Sequence, residues 1–327
     1  AIFAAITGIS IASAAVFTKL AVPQMIRHGY TPRFAVGVVA GSSVLGMLIP
    51  PSLLLILFGI LAEQSIGDLF LAGVGPGLLL ALFFGGGIVL MAIFWPGFVG
   101  KPDRDGTTAL GPSELATKSV PIALLILTVL GGIYAGFFTP VEAGAMGSIG
   151  ALVMGFAMRR LTLRRLWTVL VETGLVTATV CFLIIAAQMY SRMLALPGVP
   201  AGLGQFVANA DIGLMGVMVL YVAILILMGM ILDSSSIMLI MVPLMLPVVI
   251  PLQVDLVWFG IITVIAVEIG LLTPPFGISV YVIKATLDDP SISLGDIFRG
   301  AAPFALIMLA VLALVLAFPV IATGLIP

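Results

Sequence analysis

Charge is what this sequence lacks most. Of 327 residues only 8% are Asp, Glu, Lys or Arg, against 62% hydrophobic, and the mean hydropathy is +1.34. A soluble domain carries roughly 25% charged residues, so this chain cannot clothe a water-facing surface and reads as an integral membrane protein. Its charges nearly balance, 13 basic against 14 acidic, which leaves no basic excess for nucleic acid. A single cysteine, Cys181, excludes an internal disulfide and any cysteine-based zinc site. A single histidine, His28, excludes histidine-rich metal or haem ligation.

What the sequence has is long apolar runs. In lipid the backbone must satisfy its own polar groups, so runs of about 20 residues read as spanning helices. The spans fall at 33–62, 68–98, 119–138, 140–158, 165–192, 257–284 and 298–325. Two further apolar segments, 1–26 and 212–250, are interrupted by Thr7-Gly8-Ile9-Ser10 and Asp233-Ser234-Ser235-Ser236. Each reads as half-length helices meeting at a polar tip, a re-entrant hairpin; the first segment holds only the tip and one arm. The expected fold class is an all-α polytopic membrane protein. Basic residues favour the cytoplasmic side. Alternation of the spans puts Arg27, Arg33, Lys101, Arg104, Lys118, Arg159, Arg160, Arg164, Arg165, Lys284 and Arg299 on one side and Arg192 on the other, leaving the carboxyl terminus periplasmic. Trp95, Trp167 and Trp258 lie near span ends, where an aromatic belt is expected.

The chain repeats itself. Gly46-Met47-Leu48-Ile49-Pro50-Pro51 matches Gly270-Leu271-Leu272-Thr273-Pro274-Pro275, and Ser10 maps onto Ser234, both at an offset of 224. Ile66-Gly67-Asp68-Leu69-Phe70 matches Leu294-Gly295-Asp296-Ile297-Phe298 at an offset of 228. An odd number of spans separates the two tips, so equivalent elements enter from opposite faces and the repeat is inverted. Inverted repeats with broken helices are the architecture of secondary transporters. The division expected is 1–98 and 212–327 for the transport elements of the two repeats, 99–118 for a cytoplasmic linker and 119–211 for scaffold helices. The scaffold spans have no counterpart ahead of the first hairpin, which predicts roughly a hundred further residues upstream of Ala1.

The breaks carry the chemistry. Pro50-Pro51 and Pro274-Pro275 remove two donors each and bar the preceding residue from the α region. Gly46 and Gly270 are expected to let the backbone unwind ahead of them. Bared carbonyls, with hydroxyls of Ser10, Ser13, Ser42 and Ser43, form a hard-oxygen environment suited to a monovalent cation such as Na⁺. The second half offers Ser234, Ser235, Ser236, Thr273 and Ser279, with the carboxylates of Asp233 and Glu268. A carboxylate at the bilayer centre costs about 2.5–3.5 kcal/mol on insertion scales. No Lys or Arg lies within ten residues of either acid, so a cation, a proton, helix N-termini or, for Asp233, water at an N-cap must be the partner. Met238, Met241 and Met245 read as packing, as do the small residues along 143–157.

These residues resemble the large membrane subunit of TRAP transporters, the tripartite ATP-independent periplasmic uptake systems. The resemblance runs over the whole chain. It is carried by Gly-Tyr-Thr-Pro (29–32), Leu-Ile-Pro-Pro-Ser (48–52), Glu-Gln-Ser-Ile-Gly-Asp-Leu-Phe (63–70), Gly-Gly-Ile-Tyr-Ala-Gly-Phe-Phe-Thr-Pro-Val-Glu-Ala (131–143), Gly-Met-Ile-Leu-Asp (229–233) and Glu-Ile-Gly-Leu-Leu-Thr-Pro-Pro-Phe-Gly (268–277). Ile9 stands where the family often has Ser, and Val141 where it often has Thr. The resemblance implies an elevator-type, Na⁺-coupled importer of organic acids in the bacterial inner membrane. Its partners would be a four-helix small membrane subunit and a periplasmic substrate-binding protein. Carried onto this sequence, Gly8, Ser10, Ser42, Gly46 and Pro50 would form one Na⁺ site. Asp233, Ser236, Glu268, Gly270 and Thr273 would form its inverted mate, and Ser10, Ser13, Ser234, Ser235 and Thr273 would face the substrate between the tips. Rival readings are a self-contained carrier of the same superfamily, a passive channel, and an intramembrane enzyme using Asp233 and Glu268 as its acid pair.

Overall fold

The computed structural model of the chain describes residues 8–101, 112–198, 202, 205, 213–287 and 289–326. They are mostly helical; apart from one isolated antiparallel bridge between Tyr30 and Gly100, the described residues contain no strand. The chain is an all-α membrane protein. It divides into two compact units, one made of Ala1–Gly106 with Tyr190–Pro327, the other of Thr107–Met189.

In the first unit the helices are α1 (Ser10–Leu20), α2 (Val22–Arg27), α3 (Pro32–Leu48), α4 (Leu53–Ala62), α5 (Ile66–Phe94) and α6 (Pro96–Val99). The second unit holds α7 (Pro112–Tyr134), α8 (Pro140–Ala157) and most of α9 (Leu163–Ala195). The first unit resumes with α10 (Gly213–Gly229), α11 (Ser234–Val249), α12 (Leu256–Gly270), α13 (Ile278–Leu287), α14 (Leu294–Ala317) and α15 (Val320–Thr323). By length and composition, Ile66–Phe94, Pro140–Ala157, Leu163–Leu194 and Leu294–Ala317 can each cross a membrane. The runs 33–62 and 257–284 are each two helices, α3 with α4 and α12 with α13. The 17 residues of α3 reach only about 26 Å at 1.5 Å per residue, short of a hydrocarbon core of about 30 Å. The stretch 102–111, at the heart of the polar linker, lies outside the described residues, and α7 already begins at Pro112.

Local sequence explains where the helices start. Thr31 and Ser52 cap α3 and α4 through their hydroxyls, and proline fills the first position of α3. The Gly-Asp pair matched between the halves turns out to be helix-start chemistry. Ser65 accepts the N–H of Asp68 at the head of α5, and Ser293 with Asp296 forms a full capping box at the head of α14. Asp296 also takes the Arg33 guanidinium at 2.6 Å, tying the start of α14 to the start of α3.

The first unit is built around α12, whose residues from Trp258 to Gly270 are all buried. Phe259 stacks on Tyr221 of α10 with ring centroids 4.9 Å apart, and the Tyr221 hydroxyl pairs with Thr263 at 3.0 Å. Without a hydrophobic drive between helices in lipid, close approach rests on small residues. A methyl group on Gly37 of α3 would lie 2.1 Å from the carbonyl oxygen of Gly300 in α14. The contacts between halves are reciprocal: α1 packs on α13, and α11 packs on α4. Each arm that follows a tip therefore lies against the helix that follows the other half's break.

Trp258 departs from the belt expectation. It is 4% exposed and donates its indole N–H to the carbonyl of Val315 at 2.8 Å. The first turn of α12 lies inside the bundle, so its indole finds a main-chain partner there, whereas Trp95 and Trp167 are 65% and 70% exposed. Met238 and Met241 are buried in α11, as packing residues. In the second unit Gly147 and Gly150 of α8 face Val129 and Leu125 of α7, while Thr139 and Glu142 form the capping box that starts α8.

Candidate functional site at the paired helix breaks

Both breaks occur at the proline pairs. Helix α3 stops at Leu48 and α4 starts at Leu53; α12 stops at Gly270 and α13 starts at Ile278. The bonds Pro50–Pro51 and Pro274–Pro275 are cis.

The carbonyls released by the prolines are partly taken up again. The Met47 carbonyl would have bonded to the N–H of residue 51, which proline lacks, and the Ser52 hydroxyl donates to it instead at 2.6 Å. At the second break the Gly270 carbonyl accepts the Thr273 N–H at 3.0 Å, and the Thr273 hydroxyl donates to the Ile269 carbonyl at 2.7 Å. The Ile269 carbonyl also accepts the Leu272 N–H at 3.1 Å and is thereby doubly engaged, whereas the Met47 and Gly270 carbonyls each keep a second lone pair. The breaks thus retain hard-oxygen acceptors.

Among the described residues, one main-chain hydrogen bond ties each tip, or the turn leading into it, to the break of its own half. Leu53 N–H donates to the Gly8 carbonyl at 3.3 Å, and Gly277 N–H donates to the Met230 carbonyl at 3.1 Å. Leu53 and Gly277 are 224 residues apart, the same offset as the proline pairs. Gly8 and Gly277 adopt positive φ, 59° and 51°, which a side chain disfavours. A Cβ on Gly8 would also meet the Pro51 carbonyl oxygen at 3.0 Å.

The tips converge on one carboxylate. Glu268 is fully buried, and its Oε1 accepts from Ser10 Oγ at 3.3 Å and from Ser234 Oγ at 2.9 Å. Among the described residues its Oε2 has no partner, and neither does the buried hydroxyl of Ser279 in α13. Asp233 is the N-cap of α11, accepting the N–H and the hydroxyl of Ser236, and its carboxylate lies at the second tip. Ser235 beside it is half-buried, and Ser13 is buried in α1.

Four candidates sit differently from the sequence picture. Ser42 and Ser43 turn back onto α3, donating to the carbonyls of Val39 and Ala40 at 3.3 and 2.7 Å, because a serine inside a helix finds the carbonyl of the preceding turn within reach. Neither Gly46 nor Gly270 adopts a positive φ; both remain helical. Gly270 serves close approach instead of unwinding, since a Cβ there would lie 2.5 Å from the Cα of Gly229. The positive φ at the second break falls at Gly277, beyond the prolines. The two breaks also differ in cover: Pro50 is buried, whereas Pro274, Pro275 and Phe276 are exposed.

Residues 1–321 match the family described as the tripartite ATP-independent periplasmic transporter, DctM component. A C4-dicarboxylate TRAP transporter large permease protein of Pseudomonas aeruginosa is 35% identical over 99% of this chain and 74% of its own length. The chain belongs to the TRAP large permease family. A sialic acid large permease of Vibrio cholerae is 32% identical over 97% of this chain and 73% of its own length. An ectoine large permease of Halomonas elongata is 30% identical over 98% and 74%. This chain is therefore a transporter subunit and not an enzyme, which removes the reading of Asp233 and Glu268 as an acid pair.

For this TRAP permease, sequence reasoning passed over Ser52, Leu53 and Gly277. Ser52 had a signal: a hydroxyl directly after Pro-Pro is placed to replace the missing donor. The main-chain N–H of Leu53 has none, because it is a property of position and not of residue type.

Proposed function

We propose that the chain is the transport-bearing subunit of a Na⁺-coupled uptake system for an organic carboxylate. It would work in the inner membrane with a small membrane subunit and a periplasmic binding protein that delivers the ligand. The observation that carries this reading is the pairing of tips and breaks: two polar tips, each bonded to the Pro-Pro break of its own half, meet at one buried carboxylate. Hard oxygens without soft ligands suit an alkali cation. The Met47 carbonyl near the first break, and the Gly270 carbonyl with Asp233 at the second, are the oxygens offered to such a cation. Their arrangement supports two Na⁺ sites related by the inverted repeat.

The two tips differ in a way that assigns them separate tasks. Asp233 places its own negative charge at the start of α11, which favours a cation there. Ile9 at the start of α1 offers no capping side chain, so its first-turn N–H groups suit the substrate carboxylate. One covered break and one exposed break suit a carrier resting with one side open, and movement of the first unit as an elevator is the accompanying step.

The test is uptake in proteoliposomes containing both membrane subunits and the binding protein. Replacing Na⁺ by K⁺ or choline is expected to lower uptake at least tenfold; uptake indifferent to Na⁺ would overturn the coupling. Omitting the binding protein is expected to abolish uptake, and persistence of transport would favour a self-contained carrier.

A further inference from the structure

Glu268 stands in a costly place. It lies near the end of α12 among residues that are all buried, and such surroundings penalise a carboxyl group unless its oxygens are engaged. Among the described residues only Oε1 is engaged, by the hydroxyls of Ser10 and Ser234. Those donors are the first residues of α1 and α11 and hold equivalent places in the two halves. The acceptor is not duplicated, because the residue 224 positions before Glu268 is Val44. One carboxylate from the second half thus serves the tips of both.

We infer that Glu268 is a positioning residue that clasps the two hairpin tips together, so that neither leaves its break independently of the other. Two donors on one oxygen fix the side chain between them. Withdrawing one hydroxyl releases the carboxylate to reorient and leaves the other tip with a poorly aligned acceptor. Among the described residues one main-chain bond joins each tip region to its break, Gly8 to Leu53 and Met230 to Gly277, and a shared acceptor adds to how firmly both are held. The functional meaning rests on the transport reading above: a carrier that opens alternately must keep its two sides from releasing together, and a tip that registers the state of its counterpart supplies that constraint.

The test reads one tip while disturbing the other. In native membranes holding the complete permease, with Cys181→Ser as background, the half-buried Ser235 of the second tip is changed to cysteine and its rate of maleimide labelling is followed. Ser10→Ala, in the opposite half, is expected to speed that labelling about fivefold, the worth of one hydrogen bond. Glu268→Leu should give a similar increase, and adding Ser10→Ala to it should give no more. Glu268→Gln keeps an acceptor oxygen and should label within about twofold of the parent, so Ser10→Ala and Glu268→Gln decide the matter even if Glu268→Leu fails to fold. Labelling unchanged by Ser10→Ala, effects of Ser10→Ala and Glu268→Leu that multiply independently, or a Glu268→Gln rate as fast as that of Glu268→Leu would each overturn the clasp. The readout needs no transport: cross-talk without Na⁺-dependent uptake would keep the clasp and sink the transport reading, and the reverse would sink the clasp alone.

Discussion

Gly229 and Gly270 meet with no side chain between them; a methyl group on Gly270 would lie 2.5 Å from the Cα of Gly229 and 2.7 Å from the carbonyl oxygen of Ile226. The neighbouring atoms are backbone, so they cannot swing aside, and α10 would have to move off α12. Gly270→Ala is therefore expected to destabilise the permease by about 1–3 kcal/mol, the usual cost of overpacking, seen as a lower Tm of the purified complex. Gly85→Ala in α5 is the contrast, since a Cβ there meets nothing within 4 Å; it should change stability by about 0.5 kcal/mol at most.

The left-handed glycines give a second expectation. Gly8→Ala and Gly277→Ala each force a side chain into positive φ, at about 1–2 kcal/mol per residue, and each adds a contact near 3 Å: with the Pro51 carbonyl oxygen at 3.0 Å, and with the Phe298 ring at 2.9 Å. Both tips should disengage from their breaks more readily. Uptake is expected to fall several-fold while membrane insertion, followed by immunoblot of the membrane fraction, stays near the parent level.

These two pairs show how far the sequence could be read. Spans, tips and breaks were visible because apolar length, polar interruption and Pro-Pro are local signals, and the 224-residue offset joined them. That Ser10 and Ser234 share Glu268 was not visible, since it depends on how α1, α11 and α12 come together and not on any spacing. The glycines of the Gly-x-Leu-x-Pro-Pro pattern invited an unwinding role, but Gly270 stays helical and Gly277 takes the turn. Only packing tells a glycine needed for space from one needed for φ. Ser42 and Ser43 mislead for a related reason: a hydroxyl near a break in sequence can still be satisfied by its own helix.

The bond from Leu53 to Gly8 can be removed almost alone. Leu53 is the first residue of α4, where proline is tolerated, and Ser52 is already extended at φ −119° and ψ 127°, as a residue before proline must be. Leu53→Pro deletes the N–H that holds the first tip. One lost hydrogen bond, at about 1 kcal/mol, should lower uptake roughly fivefold while the helical circular dichroism of the purified permease is preserved. Leu53→Ala keeps the N–H and should retain more uptake than Leu53→Pro, though it also shortens a side chain. Equal uptake in the two variants would show that the main-chain bond does not hold the tip in a way that matters.

Ser52 stands at the point where loss of a helical donor is repaired. Its hydroxyl donates to the Met47 carbonyl at 2.6 Å and accepts the Leu55 N–H at 3.4 Å, and the side chain is fully buried. Ser52→Ala removes both functions at once, leaving a buried carbonyl without its donor and α4 without its cap. The two losses together should cost about 2–3 kcal/mol, which a fall in Tm will report. Ser52→Thr keeps the hydroxyl and should recover most of the loss. If the Met47 carbonyl also holds Na⁺, its position matters as much as its availability: Ser52→Ala should raise the Na⁺ concentration for half-maximal uptake, and Ser52→Thr should restore it. A stability loss with an unchanged Na⁺ requirement would confine Ser52 to holding the break and remove Met47 from the cation site.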